Sequence, residues 1–399
     1  MPISVDTRPL RIAPFRRLWL ASVVTAVGGQ FSFIAVPKQL YDLTGSSRYI
    51  GIAGAVTLCC LGVAALWGGA LADVYDRRRV LLVTSSGIAA TAVLFWALYA
   101  VATVPVMLTL IGLNAMFMGA HLSAFGAAIP RLVPTELLTA ASSLGSLVRS
   151  LGPIAGPLLA VLLIPLTGLQ WLYAVDAIAL TATVWAVWRL PAMPPGTQAK
   201  RRINVVDGLR YLAAQPVLVA LLAADLIAMV FGLPVALYPE LAEHRFGGDR
   251  ALGLLFAGLP IGIFAMGLIS GRFTHFKRHG VIVTVAVAAW GATLVGLGLS
   301  YTLPFAMAFL IVGGAANFLL TTFRNAMTQA YATDEMRGRT QGALTLITMG
   351  GPSLANLLHG TLSPAIGPSW TIAGGGLLTM AAVIAVAIAV PSFWAYSSR

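Results

Sequence analysis

The chain has 399 residues, 58% hydrophobic and 10% charged, with a mean hydropathy of +0.88. A water-soluble domain carries about a quarter charged residues, so that class is excluded and a polytopic membrane protein is expected. The formal net charge is +12, but the cations sit in short connections between apolar runs, so topology explains them and nucleic acid does not. Cys59 and Cys60 are adjacent inside an apolar run and form neither a disulfide framework nor a zinc site. The first apolar run is long and followed at once by others, which predicts a retained helix and no cleaved signal peptide.

Runs of about 20 apolar residues are the unit of a membrane span. Twelve are predicted: 17–43, 49–72, 80–102, 105–130, 138–166, 169–190, 216–243, 250–272, 280–301, 304–331, 338–363 and 369–394. Neighbouring spans almost touch at Gly168 and Pro368. Of the 25 Lys and Arg, 19 fall on the side of the N-terminus and four on the other; Arg149 and Arg324 lie inside spans. The positive-inside rule then puts both termini in the cytoplasm.

The one long connection, 191–215, opens on PAMPPGTQAKRR and continues as INVVDGLRYLAA, which reads as a short amphipathic helix on the cytoplasmic membrane surface. It divides the chain into a six-helix bundle at 1–190, a linker at 191–215 and a six-helix bundle at 216–399. The halves repeat. RLVPTELLTAASSL enters span 5 and YATDEMRGRTQGAL enters span 11; Gly152-Pro153 recurs as Gly351-Pro352, and Gly69 as Gly271. The fold class is therefore all-α integral membrane, twelve transmembrane helices in two pseudo-symmetric bundles, as in many transporters.

Between spans 2 and 3 stands GALADVYDRRR, Gly69 to Arg79, where an apolar helix stops at an acid and three arginines follow. With the topology above, this motif resembles the loop signature of the major facilitator superfamily, G-x-L-A-D-R/K-x-G-R-R/K-R/K. Gly69, Leu71, Ala72, Asp73, Arg77, Arg78 and Arg79 match; Val74 and Asp76 depart from it. Within the superfamily the chain is similar to the branch of bacterial siderophore and drug exporters, on ADVYDRRRVLL, LPAMPPG, DGLRYLAAQPVLVALL, LYPELAE and DEMRGRTQGAL. GPIAGP, with Gly152, Pro153, Gly156 and Pro157, partly resembles the span 5 motif of proton-coupled antiporters; Val148 and Pro157 stand where that motif has glycine. Small residues there would let span 5 pack closely on a neighbour, and proline would leave carbonyls free to bend it.

An ionisable residue inside a membrane is costly and marks a candidate site. Asp225, about nine residues into span 7, is the acid nearest mid-membrane. The resemblance implies that spans 1, 4, 7 and 10 line a cavity, so Asp225 reads either as a proton carrier or substrate contact, or as one half of a structural salt bridge. His121 is the second proton-coupling candidate, against a plain helix contact. The substrate-cavity candidates are Gln30, Asn114, Arg149, Asn317, Arg324 and Asn325, with Asn356 and His359 weaker. Asp176 reads as structural. Asp42, Glu240, Glu243 and Asp249 read as a solvated outer rim.

Asp73 would sit beside the start of span 11 near Arg337 and close a cytoplasmic gate, with Arg77, Arg78, Arg79, Arg131 and Glu136 around it. The second-half copy has His275 in place of Asp73, so this latch would be asymmetric. No metal spacing, nucleotide loop or catalytic constellation is present in the sequence, so no enzyme, metal or cofactor is expected beyond a proton gradient. The expected function is a proton-coupled exporter of a small amphipathic compound such as a siderophore or antibiotic, working in the bacterial inner membrane as a monomer. The alternative is a facilitator or importer of a metabolite, and a non-transporting receptor has little support.

Overall fold

The structure, a computed structural model, describes residues 6–193, 214–273, 276–331 and 337–397. Every regular element among these residues is helical. That is the physical consequence of an apolar surround, in which each backbone N–H and C=O must find its partner inside its own segment.

Twelve long helices follow in order: α1 Ala13–Thr44, α2 Ser47–Val74, α3 Arg77–Ala97, α4 Val104–Leu132, α5 Leu138–Thr167, α6 Leu169–Trp188, α7 Pro216–Gly232, α8 Asp249–Leu268, α9 His279–Leu299, α10 Leu303–Tyr331, α11 Arg337–Ile366 and α12 Pro368–Ala389. Eleven of them, all but α11, meet the length and hydropathy of a membrane span over their described residues, α7 when it is continued to Phe246. The protein is a multi-pass membrane protein. The expected amphipathic helix at 203–214 falls almost wholly outside the described residues.

The close approaches at Gly168 and Pro368 are turns of one residue. Gly168 (φ +83°) separates α5 from α6, and Gly367 (φ +82°) separates α11 from α12. A side chain is strained at positive φ, so glycine is what lets two helices reverse without a loop. The predicted seventh span, continuous over 216–243, is interrupted. Helix α7 stops at Gly232, Pro234 follows, and the chain continues through short helical turns to Phe246. Pro234 has no N–H to return to the Val230 carbonyl, and the Gly232 carbonyl at the helix end accepts from Trp290 Nε1 at 2.9 Å.

The chain divides into two compact units, Met1–Thr44 with Val56–Arg201, and Gly45–Ala55 with Arg202–Arg399. In the first, α1 packs on α5 and α6, and α3 on α4 and α6. In the second, α7 packs on α11 and α12, and α9 on α10 and α12. These pairings in the first unit recur in the second, as an internal duplication requires. Each unit has its own core. Phe15, Leu18, Leu81, Ala128 and Val187 anchor the first; Leu218, Leu221, Val287, Leu320 and Met327 anchor the second.

The first turns of α2 are counted with the second unit and lie on α11. A Cβ at Gly54 would stand 2.7 Å from the Ser353 carbonyl oxygen, and one at Gly360 would stand 2.7 Å from the Gly51 nitrogen. Two backbones approach that closely only where side chains are missing.

Candidate functional site

The second unit encloses one charged pair among its described residues. Asp225 sits on α7 with no solvent exposure, and Arg324 on α10 is 6% exposed. Arg324 Nη1 donates to both carboxylate oxygens at 2.7 Å. Its Nε and Nη2 donate to Asn325 Oδ1 at 3.3 and 3.2 Å. The surrounding shell is apolar: Leu221, Ala224 and Ala228 from α7, with Leu320, Phe323 and Met327 from α10. Charges this deep persist only when paired and hydrogen-bonded. The structure thus joins two residues, 99 positions apart, that each stood alone in the sequence.

Two other candidates share α10. Asn325 is exposed and supplies the acceptor just described. Asn317 lies two turns away and is half-buried; its carbonyl accepts from Thr321 Oγ1 at 2.9 Å. On α11, His359 is 1% exposed and its Nδ1 lies 2.8 Å from the Ala355 carbonyl. The Oδ1 of Asn356 is buried without a partner among the described residues.

In the first unit the polar candidates meet neighbouring helices. His121 Nδ1 lies 3.2 Å from Thr84 Oγ1 and 3.4 Å from Ser85 Oγ, both on α3, and its ring stacks on Phe125 at 5.6 Å. Asn114 donates from Nδ2 to Thr91 Oγ1 at 2.8 Å, also on α3. Both side chains of α4 are thus engaged at the α3–α4 contact. Gln30 lies against Gly156, whose missing Cβ would collide with the Gln30 stem. Gly152 likewise has no room for a Cβ against the Ala26 carbonyl. Helix α5 closes on α1 at these two glycines, and Trp19 Nε1 ties the pair by donating to the Leu144 carbonyl at 3.0 Å. Pro153 and Pro157 lie within the same stretch of α5. Asp176 on α6 is 4% exposed; its Oδ2 accepts from Ser32 on α1, while Oδ1 has no partner among the described residues.

The side chains of Asp73, Arg131 and Arg149, and the surroundings of Gly69, lie outside the described residues, as does His275. The rest of the motif is visible. Asp76, the departure from the signature, is the N-cap of α3. Its Oδ1 accepts from Arg78 N at 2.8 Å, and its carboxylate also accepts from Met193 N at 3.1 Å. Arg77 N in turn donates to the Met193 carbonyl at 3.1 Å. A carboxylate at an N-cap satisfies free N–H groups and meets the positive end of the helix. Arg78 Nη2 reaches the Trp188 carbonyl at 2.5 Å; Arg79 and Glu136 are exposed.

Glu240 departs from the solvated rim expected of it. Its Oε2 accepts from Ser47 Oγ at 2.5 Å and from Ser363 Oγ at 3.1 Å, and both serines are buried. It ties the first turn of α2 to α11 within the second unit. Nothing in the sequence distinguished Ser47 or Ser363 from other helical serines.

Two sets of six helices paired alike, with a buried ion pair inside one of them, are the architecture of a membrane transporter. A family model described as transmembrane secretion effector matches residues 5–398, and the chain belongs to that family, within the major facilitator superfamily. It is 28% identical to the enterobactin exporter EntS of Shigella boydii serotype 18 over 382 residues, 93% of this chain and 90% of that protein. The EntS of Escherichia coli O139:H28 matches to the same extent.

In fold it is similar to a POT family transporter solved with 5-aminolevulinic acid, with TM-score 0.74, 11% identity, 95% of this chain and 96% of that one. The nucleoside transporter NupG matches with TM-score 0.71, 14% identity, 96% of this chain and 100% of its own.

Proposed function

We propose that this protein is a proton-coupled secondary active exporter of a small amphipathic compound, a siderophore or an antibiotic. It works by alternating access in the bacterial inner membrane, with both termini in the cytoplasm. The observation that carries the export reading is the 28% identity to an enterobactin exporter along 93% of the chain. The bundles are residues 1–190 and 216–399, with 191–215 as linker, and the Gly69–Arg79 motif closes the cytoplasmic end.

The proton-coupling reading is supported by the pair on α7 and α10. Arg324 is held by hydrogen bonds to the Asp225 carboxylate and to Asn325 Oδ1. A proton taken up from the outer side onto the Asp225 carboxylate cancels its charge and releases the guanidinium. Arg324 is then available to an acidic or polar group of the cargo. Loss of that proton to the cytoplasm restores the pair and resets the site.

The test is transport in everted membrane vesicles with enterobactin and a macrolide as probes, with and without an uncoupler. Uptake that collapses on adding the uncoupler supports the proposal. Uptake that is unchanged by the uncoupler and stops at equal concentrations identifies the facilitator alternative. A deletion strain grown against siderophores and antibiotics then ranks the cargo.

A further inference from the structure

An open groove of about 400 Å³ runs between α3 and α6 in the first unit. Leu82, Ser86 and Ala89 form one wall, and Val184, Trp185 and Trp188 the other. It opens outward: Trp185 and Trp188 are about half exposed and neighbouring Ile178 is 69% exposed. In a multi-pass membrane protein an outward apolar face of this kind meets lipid tails. From Leu82 to Ala89 the groove follows α3 for about 10 Å, the reach of the upper part of an acyl chain. Thr181, on the same wall, spends its hydroxyl on the Ile178 carbonyl at 2.6 Å, so the groove offers little to a polar ligand.

Its mouth has the opposite chemistry. Helix α3 begins there with Arg77, Arg78 and Arg79, and α6 ends there at Arg189. The Arg189 guanidinium lies 4.9 Å from the centre of the Trp188 ring. Arg78 bonds the Trp188 carbonyl and so closes α3 onto α6 at the mouth. The acid beside them, Asp76, is committed to the α3 N-terminus and to Met193 N. Tryptophans at a lipid–water boundary under a cluster of arginines form a headgroup anchor.

We infer that this groove is a binding site for an anionic phospholipid, with one acyl chain against Trp185 and Trp188 and the phosphate among Arg78, Arg79 and Arg189. The charge complementarity selects the occupant: a zwitterionic lipid offers the same chain but cancels the phosphate with its own amine.

Native mass spectrometry of the full-length protein, released from detergent, tests this with phosphatidylglycerol and phosphatidylcholine of identical chains. The wild type is expected to retain phosphatidylglycerol preferentially. Arg79→Gln with Arg189→Gln is expected to weaken that retention by about fivefold per arginine, from the attraction of one cation to an anionic membrane surface. Thr181→Trp fills the groove without touching the arginines and is expected to lower retention as well; it decides the matter if the double arginine variant fails to fold. Equal retention of the two lipids would overturn the inference. So would an equal loss in Arg16→Gln with Arg17→Gln, which marks bulk charge, or a groove covered by a second copy and seen as a dimer.

Discussion

The two units repeat each other in helix pairing and differ in how they bury an acid. In the first, Asp176 rests on a hydroxyl from Ser32 and keeps one oxygen without a partner among the described residues. In the second, Asp225 is held by the Arg324 guanidinium at 2.7 Å on both oxygens. Both lie between helices and are shut from solvent. The backbone scaffold of a duplicated unit is constrained by close helix contacts, whereas its charges are free to diverge and take separate roles. An acid with a hydroxyl partner can change without stranding a charge; an acid with a guanidinium cannot.

The largest expected effect follows directly. Arg324→Ala leaves the Asp225 carboxylate buried and unpaired, which costs about 3–5 kcal/mol. Thermal unfolding in detergent reads it, and adding Asp225→Ala is expected to recover much of the loss. Full additivity of the two changes would show that the pair is not coupled.

Next come the matched glycines. A Cβ at Gly152 would stand 2.3 Å from the Ala26 carbonyl oxygen, whereas one at Gly351 would stand 2.9 Å from the Met229 Cβ, a shallower overlap. Gly152→Ala is expected to cost about 1–3 kcal/mol by overpacking, and Gly351→Ala clearly less, by the same melting measurement. Equal effects would remove this distinction between the units.

Asp76→Ala removes the α3 cap and is expected to cost about 1 kcal/mol. The smallest effect is expected for Asp176→Asn, within about 1 kcal/mol, the scale of a neutral hydrogen bond. A loss as large as that of Arg324→Ala would reveal a charged partner for Asp176 and break the contrast.

Much of the fold was legible in the sequence because long apolar runs have one stable form in a membrane. The turns at Gly168 and Gly367 were marked by runs that nearly touched. The halt of α7 at Gly232 was not, although Pro234 signalled it, because the apolar run continued past it. The site was legible residue by residue and not as a set. Asp225 and Arg324 were both singled out as buried ions, but nothing in a one-dimensional pattern assigns partners 99 residues apart. Asn114 and His121 face α3 in the structure. A helix that is apolar nearly all round carries no stripe that says which side is inward. Glu240 drew notice as an acid in an outer loop, yet its serine partners are commonplace residues whose meaning comes only from where α2 meets α11.

The central claim is that proton coupling runs through Asp225, and one comparison tests it most directly. Everted vesicles carrying wild type or Asp225→Asn are given an imposed pH gradient, and uptake of the cargo established for the wild type is followed. The account predicts that the gradient drives accumulation in the wild type and fails to do so in Asp225→Asn, with protein of equal amount and melting behaviour. Full gradient-driven accumulation by Asp225→Asn would contradict it.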